Sequence, residues 1–416
     1  AVIWRNAVIS IVVSILFWAI CFAVGLAKSQ LDNWFLDGRR TANIIAADET
    51  LIRLNQTGSG YEWDDQNLEW RELFEQRRRG GPPGASQQAA WLGAYFDTTN
   101  GRLVGIRSGG GSRWFRGSSK LAIATQDKDW KPQESIDVPN GTRELLPTTD
   151  GEILVAGTDG LFRLEGDAIG PADAFKLFGM SLPGLGESAR FVRVDDESTE
   201  WERPFASAID PVSSRVVICS GETTAILKEV NGRFIVESST NAETSQESVV
   251  GFAGDRYLTA SQDGFIRVFD VDKGGMLDLQ QPFGNNEPRR VVTSPDGRWA
   301  AVLFHHRKVW LYDGQEGRPI TPALNGQGDI SAVAFDTDSS LLAADRFGRI
   351  TRYSPTHSFA VKETMEPEPD FLETLYTRVI DPVHTVFPKP GEMENVVTWL
   401  MTKQQSSTRI LSKTLS

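Results

Sequence analysis

Cysteine is nearly absent from this chain: Cys21 and Cys219 are the only two in 416 residues. Cys21 lies in an N-terminal apolar run and Cys219 in an apolar segment expected to be a strand, so no intrachain disulfide is expected to hold the fold. Histidine is almost as scarce. Of the four, His305 and His306 are adjacent near a strand end, where successive side chains diverge, and no Cys or carboxylate cluster joins them, so no metal centre is expected. Positive charge is also short, with 43 Lys and Arg against 55 Asp and Glu and a net charge of −12. A general nucleic-acid binder needs a basic surface to neutralise phosphates, and no nucleic-acid partner is expected. The short motifs of catalysis are missing too. There is no G-x-S-x-G elbow and no Walker loop. "GLGESA" (184–189) imitates a dinucleotide fingerprint without its flanking strand and helix, and "SGGGS" (108–112) reads as a hairpin turn. No cofactor is expected.

Glycine is plentiful, 38 residues, and much of it sits in turn chemistry that recurs. Tight turns such as Asn100-Gly101, Asp150-Gly151, Gly254-Asp255 and Pro295-Asp296-Gly297 supply the positive φ of short hairpin loops. Aligned on the residue after each such turn, the chain gives Arg102, Glu152, Arg215, Arg256, Arg298 and Ser340, spaced by 50, 63, 41, 42 and 42. A short apolar run follows each one. In several units a second turn comes about eight residues later, at Asp159-Gly160, Asp263-Gly264 and Phe347-Gly348. Each unit therefore reads as strand, turn, strand, turn, strand, with a fourth strand in the connecting stretch: one four-stranded antiparallel sheet. The 63-residue spacing exceeds the period by 21, and "PADAFKLFGMSLPGLGES" (171–188) is read as an inserted surface loop.

The third strands carry a resemblance. "SQDGFIRVFDV" (261–271), ending in Phe269-Asp270, and "KVWLYDG" (308–314), with Tyr312-Asp313, resemble the end of a WD40 repeat, and "TSPDGRWAAV" (293–302) resembles that family's first hairpin, although no unit carries a literal Trp-Asp. The resemblance implies an all-β propeller, because such sheets bury both faces only by stacking around an axis. Six blades are visible. Seven are expected, the seventh from residues 42–63, closed by "SFAVKE" (358–363) so that both chain ends share one blade and leave no open edge. The propeller is assigned to residues 40–363. "EWRELFEQRRRGGPPGASQQ" (69–88) is read as a short helix ending at Arg77, Arg78 and Arg79, followed by a flexible loop.

Two segments stand apart. Residues 7–27 carry no charge over 21 positions, enough at about 1.5 Å per residue to cross a hydrocarbon core of roughly 30 Å, so residues 1–30 are read as a transmembrane anchor, with a cleaved signal peptide as the rival reading. Arg5 before the run and Lys28, Arg39 and Arg40 after it slightly favour a cytoplasmic propeller. Long domains translocate largely regardless of such charges, and an extracytoplasmic propeller at the cell membrane is the expectation. Residues 364–416 change to helical periodicity, with Phe371, Leu372, Leu375, Tyr376, Val379, Ile380 and Val383 on one stripe and Met393, Val396, Val397 and Leu400 on another. This tail resembles the amphipathic segment that precedes a membrane helix in ABC-2-type transporter permeases.

WD40 propellers present their second turns on one rim, where partner peptides dock. Here that rim would hold His305, His306, Arg307 and Lys308, with Arg346 from the next unit, a local basic patch on an acidic protein. The expected function is a non-enzymatic, membrane-anchored scaffold for protein partners. The alternatives are a component of an ABC-2-type export system, with transporter subunits as partners, and an extracytoplasmic propeller enzyme or quinoprotein.

Overall fold

The computed structural model describes strands and turns between Thr41 and Met365; residues 1–40 and 366–416, the stretches 75–90, 166–175, 182–189 and 321–329, and several shorter turn segments lie outside the described residues. Seven four-stranded sheets follow one another along the chain. Blade 1 is β1 (Thr41–Ala47), β2 (Thr50–Asn55), β3 (Gly60–Asp64) and β4 (Glu69–Phe74). Blade 2 is β5 (Trp91–Asp97), β6 (Arg102–Gly109), β7 (Gly117–Thr125) and β8 (Gln133–Asp137). Blade 3 is β9 (Thr142–Pro147), β10 (Ile153–Gly157), β11 (Gly160–Glu165) and β14 (Arg190–Arg193), with a small hairpin of β12 (Lys176–Leu177) and β13 (Met180–Ser181) inserted before its last strand. Blade 4 is β15 (Phe205–Ile209), β16 (Val216–Ser220), β17 (Thr223–Val230) and β18 (Arg233–Asn241). Blade 5 is β19 (Glu247–Ala253), β20 (Arg256–Ser261), β21 (Ile266–Asp270) and β22 (Met276–Gln280). Blade 6 is β23 (Pro288–Thr293), β24 (Trp299–Phe304), β25 (Val309–Asp313) and β26 (Arg318–Ile320). Blade 7 is β27 (Ile330–Phe335), β28 (Leu341–Asp345), β29 (Ile350–Ser354) and β30 (Ala360–Met365).

The apolar runs explain why these sheets stack. In β24 the whole stretch Trp299–Phe304 is buried, as expected of a strand covered on both faces rather than one with a wet side. Alternate residues go opposite ways. Ala300, Val302 and Phe304 pack with blade 5, against Leu258, Ala260, Ile266 and Val268, whereas Trp299, Ala301 and Leu303 pack with blade 7, against Val333, Leu341 and Ala343. Every gap between neighbouring blades is filled by one such cluster, including the gap between blades 7 and 1, where Ile44, Leu51 and Trp63 meet Ala332, Leu342, Ala344 and Ile350. The first strand of each blade packs against its counterparts on either side, and β27 returns to β1, so these strands form the inner wall of a closed ring.

The ring has seven blades, as expected. Two expectations are corrected. The ends of the ring do not share a blade: residues 42–63 belong to a blade completed by β4, while Ala360–Met365 is the outer strand of blade 7, paired with β29. Glu69–Phe74 is a strand, not a helix. Gly60 faces Phe74 and Tyr61 faces Glu72, so a bulge at Leu73 breaks the two-residue period and places Trp70, Leu73 and Phe74 at a spacing that imitates a helix. The anchor at 7–27 and the helical stripes beyond residue 370 lie outside the described residues. Among the described residues no helix is long and apolar enough to cross a membrane.

Candidate partner-binding surface

The blade hairpins divide the turns between two rims. On one lie the turns between first and second strands; on the other lie those between second and third, among them the β24–β25 turn with His305 and Lys308 and the β28–β29 turn with Gly348 and Arg349. His305 and Lys308 are where the spacing placed them, at the two ends of the β24–β25 turn, while His306, Arg307 and Arg346 lie outside the described residues. His305 does not stand alone. Its amide donates to the Glu287 carbonyl at 2.8 Å, and its Nε2 is 3.6 Å from Glu287 Oε2, with both side chains about half exposed. Lys308 lays its ammonium over the Phe283 ring at 5.0 Å, and its carbonyl accepts from Phe304 N at 2.9 Å. The described part of this patch is thus a mixed acid and base surface rather than a purely basic one.

The adjoining turn of blade 7 is held from two sides. Arg349 Nε meets Asp345 Oδ2 at 2.7 Å, and from blade 1 the buried Arg53 donates through Nη1 to the Gly348 carbonyl at 3.4 Å. The Arg53 guanidinium lies 4.7 Å from the ring centres of both Tyr61 and Trp70, a cation between two aromatic faces. It ties the ring shut at this rim.

Sequence reasoning missed the channel. Six of the seven inner strands carry a bulge near their start, and the residues that follow it, Asn43, Gly93, Glu144, Val249, Arg290 and Ala332, share one register position. Arg290 of blade 6 donates through Nη1 to Asn43 Oδ1 of blade 1, passing blade 7, so the bond crosses the channel. Burial pulls the Arg290 guanidinium below the usual arginine range, and the Glu144 carboxylate opposes that pull. The only signal in the sequence was a charged residue inside the inner-strand run "RRVVT".

Several of the described carboxylates hold turns. Asp270 and Asp313, which end third strands, accept turn amides: Lys273 N at 2.8 Å and Asp272 N at 3.0 Å for Asp270, Gln315 N at 2.9 Å and Glu316 N at 3.1 Å for Asp313. The Lys273 amide bond is the main reason that Asp270 titrates below the usual carboxylate range. Burial would raise Asp313, but Arg298 and the two turn amides outweigh it and hold the group down. Tyr95 moves the other way: burial, with Asp97 adding, pushes its hydroxyl up. Neither direction suits a general acid or base at neutral pH. Among the described residues no group of His, Cys, Asp and Glu is placed to hold a metal ion.

No family model and no curated protein matches the chain. Solved structures do. The Cps50 (Swd1) β-propeller domain of Myceliophteria thermophila is similar with a TM-score of 0.51 at 12% identity, over 76% of this chain and 97% of that one. A chain of the mitotic checkpoint complex gives 0.48 at 8%, over 73% and 84%, and KlHsv2 with loop 6CD replaced by a Gly-Ser linker gives 0.48 at 13%, over 78% and 98%. Identities this low speak to architecture alone, and the seven stacked sheets with the first of these likenesses make this chain a seven-bladed β-propeller of WD40-like build.

Proposed function

We propose that this chain is a non-enzymatic scaffold that docks protein partners on a rim of its propeller. One architectural observation carries the reading: apolar side chains fill the gaps between blades, many carboxylates and guanidinium groups hold turns, and the rim turns present exposed polar groups such as His305 and Glu287. Surfaces of this kind bind partners through exposed loops on a rigid support. Chemical cross-linking of the full chain in its native membranes, read by mass spectrometry, tests it. Cross-links from a partner are expected at 305–308 and the flanking turns; turnover of a small substrate by the purified chain, or no partner cross-link to either rim, would overturn the reading.

The scaffold is held at the cell membrane by residues 7–27, whose uncharged length supports a span, with the propeller on the extracytoplasmic side. Protease added to intact cells, after permeabilisation of any outer membrane, is expected to cut the propeller; digestion only after lysis would place it inside. A second reading, a component of an ABC-2-type export system, is supported by the amphipathic stripe of 371–383.

A further inference from the structure

One charge in the channel is left without its opposite. Arg298, Arg349 and Arg352 each meet an aspartate at 2.7 Å. Arg290 does not: among the described residues its one hydrogen bond runs from Nη1 to the neutral Asn43, and no carboxylate stands within ion-pair distance of it. A guanidinium holds five donors in a planar fork, so Nε and Nη2 are spare. They are not sealed inside protein, since Arg290 is only partly buried and none of its nitrogens is both shut off from solvent and unpaired. The open side of the fork therefore faces the water of the channel. Protein walls that take a cation partly out of water, as burial does here, leave it in want of a counter-charge.

The same level of the channel is cleared of bulk. Gly93 of blade 2 has no side chain there, and Ala332 of blade 7, which Arg290 passes on its way to Asn43, has only a methyl group. Asn43 accepts through Oδ1 and keeps its amide N–H groups as further donors. From the far side of the ring, Glu144 of blade 3 acts on Arg290 through space. We infer that this level of the channel binds one carboxylate group, its two oxygens on the Arg290 fork and one of them also on the Asn43 amide. Glu144 sets the charge. Arg290 balances a single negative charge, whereas the second charge of a phosphate would meet Glu144 unopposed. The bulges lie near the start of the inner strands, which begin at the rim of the β24–β25 turn, so the site opens to that rim. The carboxylate has two sources there, a free small organic acid or an acidic side chain of a docked partner.

The test uses the full chain in detergent at neutral pH and fixed ionic strength, with acetate, inorganic phosphate and two short glycine–serine peptides, one with a central glutamate and one with glutamine. Acetate is expected to bind saturably, read by saturation transfer to its methyl protons, and phosphate, read by its phosphorus line width, is not. Arg290→Gln should weaken acetate about tenfold or more, and Arg290→Lys, which keeps the charge and loses the fork, should weaken it less. Glu144→Gln should admit phosphate, a gain that damage to the fold would not produce and that decides the matter if Arg290→Gln fails to fold. Arg318→Gln, exposed on the outer strand of blade 6, should change nothing. Acetate that the glutamate peptide cannot displace supports a free acid as the ligand; displacement by that peptide and not by its glutamine twin supports a partner's side chain. Acetate binding that survives in Arg290→Gln, phosphate bound by the unaltered chain as tightly as acetate, or no saturable binding of acetate or the glutamate peptide overturns the inference. None of these results touches the rim reading, which cross-links at 305–308 decide separately.

Discussion

Replacing Asp313 by asparagine separates two roles of one side chain. Asp313 is 3% exposed, meets Arg298 through Nη2 at 2.7 Å and Nε at 3.2 Å, and accepts the amides of Gln315 and Glu316. Asparagine keeps an oxygen for the turn amides and loses the ion pair; alanine loses both. A buried pair broken at one end costs several kcal/mol, but Arg298 is 36% exposed and water relieves part of that loss, so Asp313→Asn is expected to cost about 2 kcal/mol and Asp313→Ala about 3. With an unfolding entropy of about 2.1 cal/mol/K per residue, 2 kcal/mol corresponds to a melting temperature lower by about 3 °C. The pH dependence has a definite sign. The folded carboxyl titrates below its ordinary value of 3.8, so the stabilisation is present above that value and is lost as pH falls through the lower folded one. Urea denaturation at pH 7 and pH 3 checks this. The gap between wild type and Asp313→Asn should shrink in acid; a gap that widens there, or one under about 0.5 kcal/mol at pH 7, would refute the reasoning.

Arg53→Met keeps the length of the side chain and removes its charge. It should cost about 1–2 kcal/mol and speed amide exchange in β1 and around Gly348 together, leaving blade 4 unchanged. Asn43→Ala takes the channel partner from Arg290 and should cost about 1–3 kcal/mol in urea denaturation, whereas Asn43→Asp should recover the loss at neutral pH. Two glycines separate backbone strain from crowding. Gly151 has φ +84 with open space around it, so Gly151→Ala should cost about 1 kcal/mol. Gly264 has φ +81, and a Cβ there would lie 2.0 Å from the Gly284 carbonyl oxygen, so Gly264→Ala should cost clearly more in the same assay.

The second strands were the legible part of the fold. Arg102, Glu152, Arg215, Arg256, Arg298 and Ser340 each stand at or just before the start of one, because glycine turns and doubly buried apolar runs leave local marks. Blade 1 was harder, since Ala47 and Thr50 are joined without glycine. Outer strands were hardest: they are half wet, and bulges at Leu73, Glu237, Leu277 and Lys362 shift their alternation by one residue. His305 and Lys308 stand at the β24–β25 turn, as the spacing placed them, but Glu287 beside His305 was not foreseen, because it comes from the linker before β23, 18 positions upstream. Contacts across the channel, such as Arg290 with Asn43, join residues 247 positions apart and leave no periodic trace.

Blades 1 and 7 are each built from one unbroken stretch, so no backbone ladder spans the join between them. Among the described residues, what holds that join is greasy surface, Ile44 and Leu51 on Ala332 and Leu342, helped by Arg53. Attraction of this origin fades on cooling, whereas a shared strand would not loosen in the same way. Chilled preparations should therefore breathe first at this one joint, while new termini cut into any crossing between blades would leave all seven sheets whole.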